Sequence, residues 1–140
     1  MLPNMLSDHE LKALLAKVKT IAVLGANDSP GRPVDRVGRY LMDAGFTVLP
    51  VHPKRKTVWD LDAYSCLAEL PFPVDLLDLF RAAPHCPAHA REVLDLPWKP
   101  AGFWMQSGIV SPEARDLLAG TGITVVEDRC LMVDHARLAR

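Results

Sequence analysis

Short, almost wholly apolar runs recur along this chain, each parted from the next by a turn-rich loop and a stretch of helical periodicity. The clearest, T-I-A-V-L from Thr20, is rich in β-branched residues, free of charge and stopped by Gly25. Such a run suits a strand covered on both faces, because a strand with one wet face would alternate apolar with polar residues. Similar runs stand at 46–51, 74–80, 100–106 and 122–128. Pro33, Pro87 and Pro112 each stand where a helix opens, a position at which the missing N–H costs nothing. Ahead of the first run, Ser7 and Glu10 have capping-box spacing, and Leu11, Leu14, Leu15 and Val18 recur at helical intervals, which predicts a helix over 8–18. A shorter helical piece is expected at Ser65–Leu70.

Strand and helix alternating at this spacing require right-handed crossovers. The expected fold is α/β: a single Rossmann-like, doubly wound domain of about five mostly parallel strands with helices on both faces. The N-terminal helix of residues 1–19 is expected to pack onto it. Pro50, inside the second run, is tolerable only near a strand end or at a sheet edge. The third run, V-D-L-L-D-L-F, reads as less purely buried because of its two aspartates.

Composition removes several classes of function. The 140 residues fit one domain, and 49% hydrophobic with 24% charged residues excludes disordered, collagen-like and coiled-coil chains. A formal net charge of -1 gives no global pull toward nucleic acid or an anionic membrane, so neither partner is expected. Three cysteines, Cys66, Cys86 and Cys130, form no C-x-x-C pair and no even set, which points to a reducing compartment. With no basic leader and no apolar stretch near the roughly 20 residues of a membrane span, the expected location is the cytoplasm.

Doubly wound sheets bind ligands beyond the carboxyl ends of their strands. The residues to inspect are therefore Gly25 to Pro33, His52 to Lys56, Phe80 and Arg81, Gln106 to Gly108, and Asp128 to Cys130. The loop G-A-N-D-S-P-G-R-P feeds a helix, so backbone N–H groups and the positive helix end suit a phosphate. Its spacing is not the G-x-G-x-x-G of dinucleotide sites. Arg32 stands at the helix mouth, with Arg36 and Arg39 one turn apart beyond it. NAD sites place an acidic residue at the end of strand two; this chain has His52-Pro53-Lys54-Arg55-Lys56. Three consecutive cations favour a ribose carrying its own phosphate, which both NADP and coenzyme A (CoA) possess, and a solvated basic turn is the plainer reading.

Other constellations are weaker. His85, Cys86 and His89 have no fourth metal ligand and read as a helix start. Ser107 lacks a G-x-S-x-G elbow. Arg129 beside Cys130 is placed to lower a thiol pKa, although a buried, inert cysteine is the commoner case. The three tryptophans are expected in the core rather than in stacking.

I-A-V-L-G-A followed by G-R-P, V-L-P-V-H-P-K, V-D-L-L-D-L-F-R, F-W-M-Q-S-G-I-V and V-V-E-D-R-C-L-M-V-D-H together resemble the small stand-alone CoA-binding proteins. Their fold is similar to the CoA-binding domain of succinyl-CoA synthetase. The chain departs from the family's usual pattern at His52, where asparagine is usual, and at Val34-Asp35 after G-R-P. The resemblance implies that Gly25, Ala26, Asn27, Asp28, Ser29 and Arg32 hold the CoA diphosphate, and that His52, Pro53 and Lys54 flank the adenosine and its 3′-phosphate. It further implies Phe80 and Arg81 as walls of the adenine or pantetheine, with Gln106, Ser107 and Gly108 beside the pantetheine arm. No catalytic residue transfers. The expected function is binding of CoA or an acyl-CoA without catalysis. An NADP-binding reductase and an accessory CoA-binding subunit of a separate acyl-CoA enzyme are the alternatives, and a protein partner or homo-oligomer is left open.

Overall fold

The computed structural model describes residues 6–139. Helix α1 (Asp8–Ala16) opens with the expected capping box: the Ser7 hydroxyl accepts the Glu10 N–H at 3.1 Å, and the Glu10 carboxylate accepts the Ser7 N–H at 3.1 Å. It ends two residues before Val18, which is buried all the same. The first five residues of the expected 1–19 segment lie outside those described.

Strand β1 (Thr20–Leu24), helix α2 (Pro33–Asp43) and strand β2 (Thr47–Val51) form the first crossover unit. A two-strand hairpin follows, β3 (Thr57–Val58) with β4 (Leu61–Asp62), then a single 3-10 turn at Leu67–Glu69 where the short helical piece is expected. The remaining elements are β5 (Leu76–Leu79), α3 (Cys86–Asp95), β6 (Gly102–Met105), α4 (Pro112–Leu118), β7 (Thr124–Val126) and α5 (Leu131–Leu138). The hairpin and α5 go beyond what the sequence reading anticipates.

All neighbours in the main sheet are parallel, in the order β2-β1-β5-β6-β7. The chain winds one way from β1 to β2 and the other way from β5 onward, so the reversal falls between β1 and β5. Ligands of doubly wound sheets lie at that crevice. β2 is an edge strand, which explains how it carries Pro50. Its outer side is partly covered: the Tyr64 N–H donates to the Pro50 carbonyl and the His52 N–H to the Tyr64 carbonyl, both at 2.9 Å.

The core has two halves, one on each face. Ile21, Val23, Leu76 and Trp104 pack with Leu11, Leu14, Val37, Leu41 and Leu131 from α1, α2 and α5. Leu77, Leu79, Phe103 and Met105 pack with Cys86, Ala90, Val93 and Leu118 from α3 and α4. The two aspartates of the third run behave differently from one another. Asp75 ties the strand entrances together, accepting the Lys19 and Thr20 N–H groups at 2.8 and 3.1 Å. Asp78 corrects the expectation of a partly wet strand: it is fully buried, and neither carboxyl oxygen has a hydrogen-bond partner among the described residues. Burial pushes its pKa well above the ordinary carboxylate value, favouring the protonated form.

Candidate functional site

The carboxyl ends of β1, β2, β5 and β6 deliver Gly25, His52, Phe80 and Gln106 to one rim. Gly25 has φ +80°, and a Cβ there would lie 2.5 Å from the Phe80 carbonyl oxygen, so both conformation and space demand glycine. The N–H groups of Gly25 and Ala26 converge on the Val51 carbonyl at 3.0 and 3.3 Å. Ser29 N–H is taken by Asn27 Oδ1 at 2.8 Å, and Arg32 N–H by the Ser29 carbonyl at 3.3 Å. The run of free donors expected from Gly25 to Ser29 is therefore narrower than its sequence implies. Among the described residues no hydrogen bond uses the N–H of Asn27, Gly31, Val34 or Asp35, the last two lying in the first turn of α2. That turn, entered through Pro33, presents the positive helix end.

The three arginines of this region have different positions. Arg32 caps the start of α2 and is exposed, Arg36 lines the cleft described below, and Arg39 binds Asp35 at 2.9 Å.

In the basic turn, His52 Nδ1 accepts the N–H groups of Lys54 and Arg55 at 3.0 and 3.1 Å. This is the turn an asparagine side chain makes with the backbone two and three residues on, and here the imidazole makes it. With Nδ1 an acceptor, the ring is neutral and carries its proton on Nε2. Burial, then Arg55, Arg81 and Lys54, hold its pKa below the ordinary histidine value. Arg55 turns back to Asp28, with NH1 2.9 Å from Oδ1. Lys54 and Lys56 are exposed and have no acidic partner among the described residues.

A cleft of about 450 Å³ opens beside this rim, lined by Arg36, Phe80, Arg81, Gln106, Ser107 and Cys130 among others. Phe80 and Gln106 belong to the sheet face that carries Asp78 and Trp104, two residues further along their strands. Arg81 closes the space between cleft and glycine loop, since a Cβ on Gly25 would lie 3.2 Å from its Cδ. Its Nε is buried without a hydrogen-bond partner among the described residues. Gln106 is buried and uses Oε1 to accept the Leu131 N–H at 3.0 Å, which fixes the start of α5. Gly108 lies just outside the cleft, and its N–H donates to Asp128 Oδ1 at 2.6 Å. The loop residues Gly25, Ala26, Asn27 and Ser29 and the turn residues His52, Pro53 and Lys54 form the adjoining rim rather than its lining.

Two expectations about cysteines change. Cys130 is half-buried, packing against the core on one side and lining the cleft on the other, so it is not the fully buried residue expected. Arg129 does not serve it: the guanidinium binds the Asp134 carboxylate through two bonds of 2.6 and 2.8 Å, while its carbonyl accepts the Trp104 indole N–H at 2.8 Å. Cys86 points into the core, where burial pushes its thiol up to about 11, and His89 pairs with Glu92 at 2.7 Å. Sequence reasoning singled out Cys130 as a strand-end residue without assigning it to the site, and missed Met132, because the start of α5 carries no proline or capping signal.

A parallel sheet whose order reverses beside a glycine turn, with the start of α2 and a basic turn along the same rim, has the architecture of the doubly wound class. The family model described as a CoA binding domain matches residues 19–136, and the chain belongs to that family. It is 37% identical over 130 residues to the Bacillus subtilis (strain 168) protein YneT, covering 93% of this chain and 95% of that one. The solved structure of cell-free ID.343 from Thermus thermophilus is 47% identical, with a TM-score of 0.87, and the match covers 95% of this chain and 99% of the other. A dinucleotide-forming acetyl-coenzyme A synthetase 1 of Ca. Korarchaeum cryptofilum, solved with phosphate and ADP, shares the fold. It matches at a TM-score of 0.65 and 17% identity, over 76% of this chain and 25% of that one. Among the described residues no helix is long and apolar enough to cross a membrane.

Proposed function

We propose that the rim and cleft together bind coenzyme A or an acyl-CoA, and that the chain adds no catalysis of its own. The diphosphate rests on the loop from Asn27 to Arg32 and the first turn of α2. The 3′-phosphate of the adenosine meets Lys54, with Lys56 nearby, and His52 and Pro53 shape the turn that carries them. The pantetheine arm passes Phe80 and Arg81 and ends beside Gln106, Ser107 and Gly108, within reach of Cys130.

One observation carries this reading. The end of β2 bears two lysines without an acidic partner among the described residues where an NAD site would place an acidic residue, and they stand near the start of α2, which suits an anion. The family match supports CoA over NADP as the phosphorylated ribose ligand.

Calorimetric titration with CoA, dephospho-CoA, NADP and NAD tests it. CoA is expected to bind most tightly, with dephospho-CoA several-fold weaker, since an exposed lysine–phosphate pair contributes up to about 1 kcal/mol. That difference shrinks as salt rises. Equal affinity for CoA and dephospho-CoA at low salt, or tighter binding of NADP, overturns the assignment.

A further inference from the structure

The basic turn after β2 offers three cations in sequence, and the fold treats one of them differently. Arg55 is already matched inside the protein, at 2.9 Å from Asp28, whereas Lys54 and Lys56 stand free of acidic partners among the described residues. The matching acid occupies an unfavourable place. Asp28 belongs to the loop assigned above to a diphosphate, where an uncompensated carboxylate would repel the ligand.

Both oxygens of that carboxylate are occupied. Oδ1 accepts from Arg55, and Oδ2 accepts the Trp59 N–H at 3.1 Å. The Trp59 N–H and then Arg55 hold the Asp28 pKa below the usual carboxylate value, so the group stays charged and paired. Trp59 and Asp60 form the tip of the β3–β4 hairpin with φ of 54° and 58°, a left-handed pair that costs energy for residues other than glycine. Trp59 is held a second time, its indole N–H donating to Asp35 Oδ1 of α2 at 2.9 Å. Asp28 thus joins the anion loop, the basic turn and a strained hairpin at one carboxylate.

We propose that Asp28 and Arg55 are positioning residues forming an internal counter-ion pair. Arg55 cancels the charge of Asp28 toward the diphosphate, the pair fixes the basic turn beside the loop, and selectivity for the 3′-phosphate falls to Lys54, with Lys56 nearby, and not to Arg55. This inference rests on the CoA reading above.

The test is calorimetric titration of CoA and dephospho-CoA at low ionic strength into wild type, Arg55→Gln, Asp28→Asn, the double variant and Lys54→Ala. Arg55→Gln exposes the carboxylate and is expected to weaken both ligands alike, by about tenfold, and adding Asp28→Asn is expected to recover most of that loss. The ratio of CoA to dephospho-CoA affinity stays at the wild-type value in these variants and collapses only in Lys54→Ala. Arg55→Lys, which keeps the charge, is expected to bind both ligands nearly as wild type does, and it carries the test if Arg55→Gln fails to fold. A loss confined to CoA in either Arg55 variant makes Arg55 a direct phosphate ligand and overturns the proposal. So does a double variant as weak as Arg55→Gln. Wild type binding neither ligand overturns the CoA reading itself, whereas wild type discriminating between them through Arg55 leaves that reading standing and removes only this one.

Discussion

Gly38 of α2 and Trp59 of the hairpin are in contact so close that a Cβ on Gly38 would sit 2.3 Å from the Trp59 Cη2 and Cζ2 atoms. The missing side chain is what lets the hairpin lie against the helix and places the indole N–H on Asp35. Gly38→Ala is therefore expected to destabilise the protein by about 1–3 kcal/mol through overpacking, even though alanine favours a helix by about 1 kcal/mol. CoA affinity should fall with it, because the hairpin holds the basic turn. Thermal melts with tryptophan fluorescence, paired with titration, check both effects; an unchanged or raised Tm would show that the hairpin is not clamped in this way.

His52 links pH to stability. Its folded pKa is depressed, so the unfolded chain binds a proton more readily, and the contribution is fully present above the unfolded value near about 6.5. It is lost as pH falls through the folded pKa. His135, whose pKa is also lowered by burial, adds a change of the same sign. His52→Asn keeps an acceptor for the Lys54 and Arg55 N–H groups, so its Tm is expected to match wild type near neutrality and to fall less on acidification. Melts across the mildly acidic range decide this, and an identical slope in both proteins would refute it.

Asp78 predicts the opposite dependence. A carboxyl that keeps its proton in the fold and releases it when unfolded loses stability as pH rises above the unfolded value of about 4, up to its raised folded pKa. Asp78→Val removes a buried polar group without partners among the described residues and supplies a strand-favouring side chain. It is expected to gain about 1–3 kcal/mol, with the advantage growing toward alkaline pH. Urea denaturation at several pH values measures it; a variant less stable than wild type throughout would reveal a role for the carboxyl that burial alone does not convey.

The cysteines should differ in reactivity in an order set by position. Iodoacetamide is expected to reach Cys130 and Cys66, both half-buried, and to spare Cys86, which is fully enclosed with its thiol pushed up to about 11. Saturating CoA should protect Cys130 and leave Cys66 unchanged. Peptide mass mapping with and without CoA reads this out, and equal labelling of Cys130 in both would place the pantetheine end elsewhere.

The sheet and most helices were legible because their signals are local. The run from Thr20 to Gly25, the capping box at Ser7 and the helix-opening prolines each declare an element within a few residues. The β3–β4 hairpin was not legible, since its two-residue strands flank Trp59-Asp60 rather than the glycine-bearing pair such turns favour. What sustains it, Asp28, Asp35 and Gly38, lies more than twenty residues away. The same distance hid the pairing of Arg55, which by sequence alone is one of three equivalent cations. Helix α5 escaped because its buried side includes Asp134, held by Arg129 and by Arg137, so its apolar stripe is interrupted by a residue that reads as surface. At the cleft, the strand-end rule found Phe80, Arg81, Gln106 and Ser107.

The carbonyl of Val51 receives the N–H groups of both Gly25 and Ala26. One acceptor thereby ties the last residue of β2 to the first two residues after β1, and the segment between them becomes a closed circuit of fixed length. The register at its far end is constrained, as are contacts such as Gly38 against Trp59. A single insertion within β2 would bring a different carbonyl under Gly25 and turn the alternate side chains that follow it to the wrong face. Lineages of this fold should therefore vary between Gly25 and Val51 chiefly at positions outside contacts such as Gly38 with Trp59 and Asp28 with Arg55, while insertions and deletions within β2 are rare.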